Sequence, residues 1–268
     1  MLEFGGNERG EIMSDTTRQQ AVIQSVSRAA SILKCFYGAT ELGLSEISRM
    51  LGLHKSTAAG IINTLKVEGF LEQNEQTGKL RLGLELFSLA VQTRHDLVEI
   101  CEPHLNTLLN LTGETVNLAV LDKDEIVYIA KKESSHSIRI STRVGTHLPI
   151  YCTAIGKAIL AAMEKEKAKD LIYNIELKQL TNKTIASREE LLAAIDKISR
   201  EGVAYDFEEF EPGVICIASP LYYKRGAPIG AVSVSGPAMR LDEDVRKNIA
   251  KALIDISRRI CGELSHLV

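Results

Sequence analysis

Two short amphipathic segments joined by a tight turn, within residues 44–83, constrain the fold of this chain more than any other part of its sequence. The first predicts a helix that Ser45 caps and Gly52 ends, because serine is a preferred N-cap and glycine readily adopts the left-handed conformation that follows helices. The second predicts a helix that begins near Lys55 and stops at Gly69. Apolar residues recur at helical spacing in both, at Ile47, Met50 and Leu51 and at Ala58, Ile61, Ile62 and Leu65. This pairing is typical of a helix-turn-helix.

The outward face of the second helix is small and polar, and a hairpin follows it. Residues 70–73 and 79–83 predict two strands across a turn at Gly78, with Lys79 and Arg81 on one side. Short side chains let a helix backbone approach base edges in the major groove, while basic residues meet phosphates. The pattern therefore predicts a winged helix-turn-helix that binds double-stranded DNA. An ordinary helical hairpin packed on a sheet is the alternative, because the motif has no unique sequence code.

Length and charge distribution predict a two-domain protein of the cytoplasm. The 268 residues suffice for two domains, no apolar run approaches the roughly 18 residues of a membrane helix, and the polar start does not resemble a signal peptide. The net charge is −3, yet residues 21–83 hold seven Lys and Arg against five acidic residues. Because this positive excess is small, we expect a homodimer to accumulate enough phosphate contacts.

The cysteines and histidines predict neither a disulfide framework nor a metal site. The five cysteines are odd in number and widely spaced, so they are expected to be reduced thiols, mostly in the core. His136, His147 and Cys152 do not have the spacing of a metal site. We therefore predict no metal and no cofactor.

Four segments follow one another along the chain. We predict a disordered tail at residues 1–20, the winged domain at 21–83, a connecting helix at 84–95 and a second domain at 96–268. The tail is polar and lacks periodicity, and residues 25–38 predict the first helix of the winged domain. The connecting helix carries an apolar stripe that could pair with its counterpart in a second subunit.

The second domain alternates β-rich runs with helical segments. Strands, then helices, then strands and a terminal helix indicate an α+β fold around one mainly antiparallel sheet, not a βαβ array. The predicted strands are residues 115–121, 125–131, 137–143, 203–208, 214–221 and 228–235, and the predicted helices are 96–112, 153–163, 164–174, 187–201 and 241–264.

One predicted helix start in this domain is a candidate anion site. The helix begins at Thr153, directly after a loop with Gly145 and Pro149, so the N–H groups of Ala154 and Ile155 would point outward. The first N–H groups of a helix lack intrahelical partners, and the helix dipole is positive there.

The chain resembles the isocitrate lyase regulator (IclR) family of bacterial transcription regulators from residue 23 onward. The motifs that carry the resemblance are IQSVSRAASIL (23–33), LSEISRMLGLHKST (44–57), TGETVNLAVLD (112–122), VYIAKKES (127–134), GTHLPIYCTAIGKAILA (145–161), EPGVICIASPL (211–221) and AVSVSGP (231–237). The resemblance implies a winged helix-turn-helix, a connecting helix and a GAF-like effector-binding domain, assembled as a dimer or a dimer of dimers.

The sequence departs from the family pattern in the second helix of the motif. Members like this commonly continue KST with Val, an aromatic residue or His, and Arg, whereas here Thr57 is followed by Ala58, Ala59 and Gly60. The missing arginine removes an expected DNA contact. Glycine inside a helix costs about 1 kcal/mol relative to alanine, so Gly60 either permits closer backbone approach to the duplex or simply weakens the helix; we favour the former.

The predicted site residues fall into two sets. The resemblance implies effector contacts at Ala154, Ile155, Asp206, Cys216, Ser233 and Ser235, with apolar wall from Leu148 and Val214. Two serines spaced by two on a strand face one side and can hold a carboxylate together, and an aspartate can accept from a ligand hydroxyl. The predicted DNA contacts are Gln24, Ser25, Arg28, Ser45, Lys55, Ser56, Thr57, Gly60, Asn63, Lys79 and Arg81.

These features predict a ligand-responsive transcription regulator whose second domain senses a sugar acid, a keto acid or an aromatic acid. The effect on transcription can be repression or activation. One alternative is an enzyme with Cys152 or Cys216 as nucleophile, although no GxSxG or HExxH motif occurs. Another is a redox or oligomerisation module attached to the DNA-binding head.

Overall fold

The structure is a computed structural model that describes residues 22–90, 92, 95–224 and 227–265. Its backbone divides into two compact units, between residues 90 and 91. The predicted tail at residues 1–20 lies outside the described residues. No helix within the described ranges is both long and apolar enough to span a lipid bilayer.

The N-terminal unit is a winged helix-turn-helix, as predicted. Three helices pack around a core that includes Ile32, Ile47, Ala58, Ile62 and Leu71. The elements are α1 (Gln24–Lys34), α2 (Leu44–Leu51), α3 (Lys55–Val67), the hairpin strands β1 (Leu71–Gln73) and β2 (Leu80–Leu82), and α4 (Leu84–Ala90).

Two predicted helix ends in this unit are wrong. The N-cap of α2 is Gly43 rather than Ser45, because the Glu46 carboxylate accepts a hydrogen bond from the Gly43 N–H at 2.6 Å and leaves Ser45 inside the first turn. Helix α1 ends at Lys34, and a turn continues to Gly38, whose φ is +83°. Gly52 and Gly69 adopt positive φ where helix ends were predicted.

The C-terminal unit is built on a six-stranded sheet with strand order β5-β4-β3-β8-β7-β6, in which every pair of neighbours is antiparallel. The α+β fold class is confirmed. The elements are α5 (His95–Thr112), β3 (Thr115–Asp122), β4 (Glu125–Lys132), β5 (His147–Pro149), α6 (Ala154–Ala162), α7 (Lys165–Asn174), α8 (Arg188–Glu201), β6 (Ala204–Phe207), β7 (Val214–Lys224), β8 (Ala227–Pro237), a 3-10 helix (Ala238–Arg240) and α9 (Glu243–Leu264).

Helices cover both faces of this sheet. Val232 and Val234 of β8 join the core under α5 and α9, whereas Ala231 joins the core under α6, α7 and α8. Because side chains alternate along a strand, Ser233 and Ser235 share the second face with Ala231. The two serines therefore face α6.

The predicted strand at residues 137–143 is wrong, since the structure has no regular secondary structure there. Side chains, not a neighbouring strand, bond its backbone carbonyls: Thr115 donates to the Ile140 carbonyl at 3.0 Å, and Lys131 donates to the Thr142 carbonyl at 2.6 Å. The edge of the sheet is formed instead by the short β5, which pairs with β4.

Candidate functional site

A cavity of about 240 Å³ lies between the sheet and the start of α6. All eight residues predicted to contact an effector line it, including Asp206 of β6 and Cys216 of β7. Sequence reasoning missed much of the remaining wall, because part of it comes from the irregular segment that was predicted as a strand. The missed residues are Tyr128, Ile140, Ser141, Thr142, Arg143, Thr146, Thr153, Phe210 and Glu211, beside the predicted Leu148, Ala154, Ile155, Asp206, Val214, Cys216, Ser233 and Ser235.

The start of α6 presents two N–H groups at this cavity. Thr153 is the N-cap, and its hydroxyl accepts from the Gly156 N–H at 3.1 Å and donates to the Pro149 carbonyl at 3.0 Å. Within the described residues, no hydrogen bond uses the N–H groups of Ala154 or Ile155. Both residues are buried and line the cavity, so these N–H groups are available to an acceptor inside it.

Gly156 lets α6 approach the preceding chain closely enough to hold this helix start in place. A Cβ atom at Gly156 would lie 2.0 Å from the carbonyl oxygen of Ile150, far inside van der Waals contact. Any larger residue would therefore displace the first turn of α6 from the cavity.

A row of polar side chains crosses three strands at the cavity wall. The strand registers place Asp206 opposite Cys216 and Cys216 opposite Ser235. Ser233 and Ser235 are 1% and 2% exposed, and Asp206 is 2% exposed. The three strands thus present a carboxyl, a thiol and hydroxyls to whatever occupies the cavity.

Burial raises the pKa of Asp206 to about 7, because a carboxylate is poorly solvated there. The Glu209 charge raises it further, whereas the Glu209 N–H, which donates to Asp206 Oδ1 at 2.7 Å, and the Lys157 charge lower it. Glu209 itself forms a buried ion pair with Lys157. Near neutral pH, Asp206 can therefore exchange between a hydrogen-bond donor and a charged acceptor.

The two cysteines considered as nucleophiles are poor thiolates. Burial raises the pKa of Cys152 and the pKa of Cys216 to about 12, and the Asp206 charge adds to the effect on both. Only a thiolate is an effective nucleophile. This environment weighs against the thiol enzyme considered above.

The predicted DNA contacts lie on α3, on the hairpin and on the first two helices. Lys55, Ser56, Gly60 and Asn63 are exposed on α3, and Thr57 is half-buried. In the rest of the set, Gln24, Ser25, Ser45, Lys79 and Arg81 are exposed and Arg28 is half-buried.

The basic residues of the hairpin are paired with acids of the same unit. The Arg81 guanidinium lies 2.6 Å from a Glu72 carboxylate oxygen, and Lys79 Nζ lies 3.8 Å from Glu46. Exposed ion pairs of this kind contribute about 0–1 kcal/mol, so they leave both side chains able to turn toward phosphate.

Two family models match the chain. One, described as the IclR helix-turn-helix domain, matches residues 25–75, and the other, described as the bacterial transcriptional regulator IclR C-terminal, matches residues 89–262. The chain belongs to the IclR family. It is a transcription regulator with a DNA-binding helix-turn-helix and a C-terminal effector domain.

Named members of the IclR family are similar over nearly the whole chain. The HTH-type transcriptional regulator KdgR of Escherichia coli (strain K12) is 32% identical over 255 residues, which cover 94% of this chain and 97% of KdgR. The crystal structure of the Thermotoga maritima IclR has a TM-score of 0.74 at 29% identity and covers 90% of this chain and 98% of that one. An IclR homologue from Microbacterium hydrocarbonoxydans, complexed with 4-hydroxybenzoate, has a TM-score of 0.80 at 23% identity over 90% and 98% of the two chains, and shows the shared fold.

Proposed function

We propose that this IclR-family regulator binds a small organic acid in the cavity at the start of α6 and that binding changes its affinity for operator DNA. The single observation that carries the proposal is the convergence of unpaired helix N–H groups with buried hydroxyls on one cavity. Such groups hold a carboxylate as an acceptor, and the first turn of a helix favours negative charge.

The charges around the cavity support an acid that also carries hydroxyl or carbonyl groups. Among the described residues that line it, Arg143 is the one cation, and Asp206 and Glu211 are the acids. A carboxylate could pair with Arg143 or with the N–H groups of Ala154 and Ile155, while a hydroxyl could donate to Asp206. Sugar acids and aromatic hydroxy acids have both groups, and the carbonyl of a keto acid could accept from a protonated Asp206.

At the other unit, we propose that α3 enters the major groove with Lys55, Ser56, Thr57, Gly60 and Asn63 toward the bases. The hairpin residues Lys79 and Arg81 would contact phosphates beside it. The remaining predicted contacts, Gln24, Ser25, Arg28 and Ser45, would bind the backbone from the first two helices.

The acting form is proposed to be a homodimer, or a dimer of dimers, in the cytoplasm. Helix α4 exposes Leu84, Phe87 and Leu89, at 76%, 68% and 51%. Large exposed apolar side chains on a short helix suit pairing with a second copy. Two heads would also double the number of phosphate contacts.

The test measures operator binding with and without each acid of a small panel. The operator is found by footprinting upstream DNA, and the probes are gluconate, 2-oxobutyrate and 4-hydroxybenzoate. We expect one class to change operator affinity for the wild type, and a Ser233→Ala and Ser235→Ala double variant to keep operator binding but lose that response.

The matched control is Ser257→Ala. Ser257 is a buried serine of α9, under the opposite face of the sheet, whose hydroxyl has no hydrogen-bond partner among the described residues. Its variant should respond as the wild type does. A wild type that protects no upstream DNA, or that ignores every acid, would contradict the proposal.

A further inference from the structure

A buried amide connects two parts of the cavity wall that are far apart in sequence. The Thr142 hydroxyl donates to Asn117 Oδ1 at 2.5 Å, and Asn117 Nδ2 donates to the Ser235 hydroxyl at 3.5 Å. Thr142 and Ser235 line the cavity, whereas Asn117 lies in β3, the strand next to β8, and is 0% exposed. The amide therefore touches the two lining residues without being a lining residue itself.

This arrangement fixes what each hydroxyl offers to the cavity. Because the Thr142 hydroxyl donates its only proton to Asn117, it can only accept a hydrogen bond from a molecule in the cavity. Because Ser235 accepts from Asn117, its own proton can be donated, either to the neighbouring Cys216 sulfur or to an acceptor in the cavity. One amide thus makes Ser235 a donor, which is the role that an effector carboxylate or carbonyl needs.

The same amide holds an irregular segment over the cavity. We call residues 138–146 the strap; it includes Thr142 and Arg143, and it has no regular secondary structure apart from its turn at 144–145. Besides Asn117, three side chains hold it: Thr115 bonds the Ile140 carbonyl, Lys131 the Thr142 carbonyl, and Arg240 the Ile138 carbonyl at 2.9 Å. At the end of the strap, the backbone of Tyr128 in β4 accepts from the Gly145 N–H at 2.7 Å and donates to the Thr146 carbonyl at 3.2 Å.

Of the side-chain bonds that hold the strap, the one to Asn117 is the one that continues to the hydroxyl of a cavity-lining residue, Ser235. Across the sheet, Asn117 lies opposite Lys131 of β4 and Ser233 of β8. Displacement of the strap would therefore change the hydrogen bond between Asn117 and Ser235 of β8. The bonds from Thr115, Lys131 and Arg240, in contrast, end on backbone carbonyls of the strap.

We propose that Asn117 is a positioning residue for effector binding: it couples the strap, which carries Arg143, to the hydroxyl of Ser235. The proposal rests on the cavity being the effector site. It makes acid binding depend on two residues, Asn117 and Thr142, of which the first never touches the ligand.

The experiment compares Thr142→Val, which keeps the shape but removes the hydroxyl, with Thr142→Ser, which keeps the hydroxyl. The probe is whichever of gluconate, 2-oxobutyrate and 4-hydroxybenzoate binds the full-length wild type in calorimetry. We expect T142V to bind it about tenfold more weakly, as loss of a buried hydrogen bond costs, and T142S to stay within about twofold. Thr107→Val, which removes an exposed hydroxyl bonded to the Pro103 carbonyl on α5, is the matched control and should bind normally.

Two further measurements separate positioning from general loss of structure. Hydrogen exchange of residues 138–146 should speed up in T142V, while its Tm and operator affinity without probe stay near those of the wild type. Combined with Ser235→Ala, T142V should lose less affinity than the product of the two single losses, because both act through Asn117.

Each remaining outcome is decisive. If no acid of the panel binds the wild type, both the proposed effector site and the role of Asn117 are refuted. If an acid binds and T142V binds it equally well, or if the losses of T142V and S235A multiply, the effector site stands and the role of Asn117 is overturned. A T142V protein that loses Tm and operator affinity together with acid affinity would show ordinary destabilisation instead.

Discussion

Gly60 and Gly156 lie in two short helices, α3 and α6, and their surroundings are opposite. A Cβ atom at Gly60 would meet nothing within 4 Å, whereas one at Gly156 would lie 2.0 Å from the Ile150 carbonyl oxygen. The second glycine is required by the fold of its own domain. The first is not, so any requirement for it must come from something outside the chain. The same residue type is thus required by packing in one unit and not in the other.

The effector cavity and the DNA-binding surface differ in how far the fold fixes their side chains. Asp206 and Ser235 at the cavity are buried and hydrogen-bonded, so their geometry is set by the fold. Polar groups on α3 and the hairpin are exposed, and their ion pairs are weak. We therefore expect substitutions at the cavity to act through structure and pH, and substitutions at the helix and hairpin to act through salt and contact distance.

The largest effect is expected for Gly156→Ala, which forces a side chain against the Ile150 carbonyl. Overpacking of this kind costs about 1–3 kcal/mol, and the 2.0 Å contact with backbone places this site at the upper end. Chemical denaturation of the full chain measures the change. Gly262→Ala in α9, where a Cβ would meet nothing, is the matched control. Equal stability of the two variants would refute the close approach of α6.

Asp206 should make acid binding depend on pH. Its pKa of about 7 means that it is largely neutral at pH 6 and charged at pH 8. A charged Asp206 repels an anion in the same cavity, so we expect the affinity for an acid probe to fall about tenfold across this interval. Calorimetry of Asp206→Asn should give a flat profile, and a flat profile in the wild type would contradict the prediction.

The same group should affect stability in the opposite sense to an ordinary carboxylate. The folded state keeps the Asp206 proton to about pH 7, whereas the unfolded chain releases it near the ordinary aspartate pKa of 3.8. Asp206 therefore contributes most to the free energy of unfolding below about pH 4, and this contribution is lost as the pH rises through about 7. Glu209, whose pKa burial also raises, acts in the same direction.

Gly60→Ala should separate the two explanations for glycine in α3. Alanine fits in the free protein, so the free energy of unfolding should rise by up to about 1 kcal/mol. If the bare backbone lies against DNA, operator affinity should fall about tenfold in fluorescence anisotropy at fixed salt. Unchanged or tighter operator binding would mean that Gly60 merely weakens the helix.

Arg81→Gln should have the smallest effect on the protein itself. Its ion pair with Glu72 is exposed, so stability should change by less than about 0.5 kcal/mol. Operator affinity should fall severalfold at low salt, and the slope of log affinity against log salt should decrease by about one. Arg258→Gln, which breaks an exposed pair with Asp255 on α9, should leave both quantities unchanged.

Local patterns predicted the winged unit and most of the sheet, because both follow from periodicity and turn residues. The helical spacing of Ala58, Ile62 and Leu65 is the buried face of α3, and Gly52 ends α2 as expected. The strap was missed for a physical reason. Three of its carbonyls, those of Ile138, Ile140 and Thr142, accept from side chains that are 11 to 102 residues away. The sequence near the strap contains no signal for those partners.

The cavity shows the same division. A resemblance to known sequences pointed to residues such as Asp206 and Ser235, which line it. Tyr128, Phe210 and Arg143 were missed, because an aromatic residue in a β-rich run and an arginine in a loop have many common roles. The contact between Asn117 and Ser235 could be found only in the structure, because the two residues are 118 positions apart in the sequence and the pairing of β3 with β8 brings them together.

Asp206 belongs to β6, which forms one margin of the sheet and pairs with β7 alone. A molecule that touches both Asp206 and Ser235 would add a bridge from this outermost strand to β8, two strands further in. Occupancy of the cavity should then stiffen β6 at the edge of the sheet, and this strand is where the empty and the loaded protein should differ most.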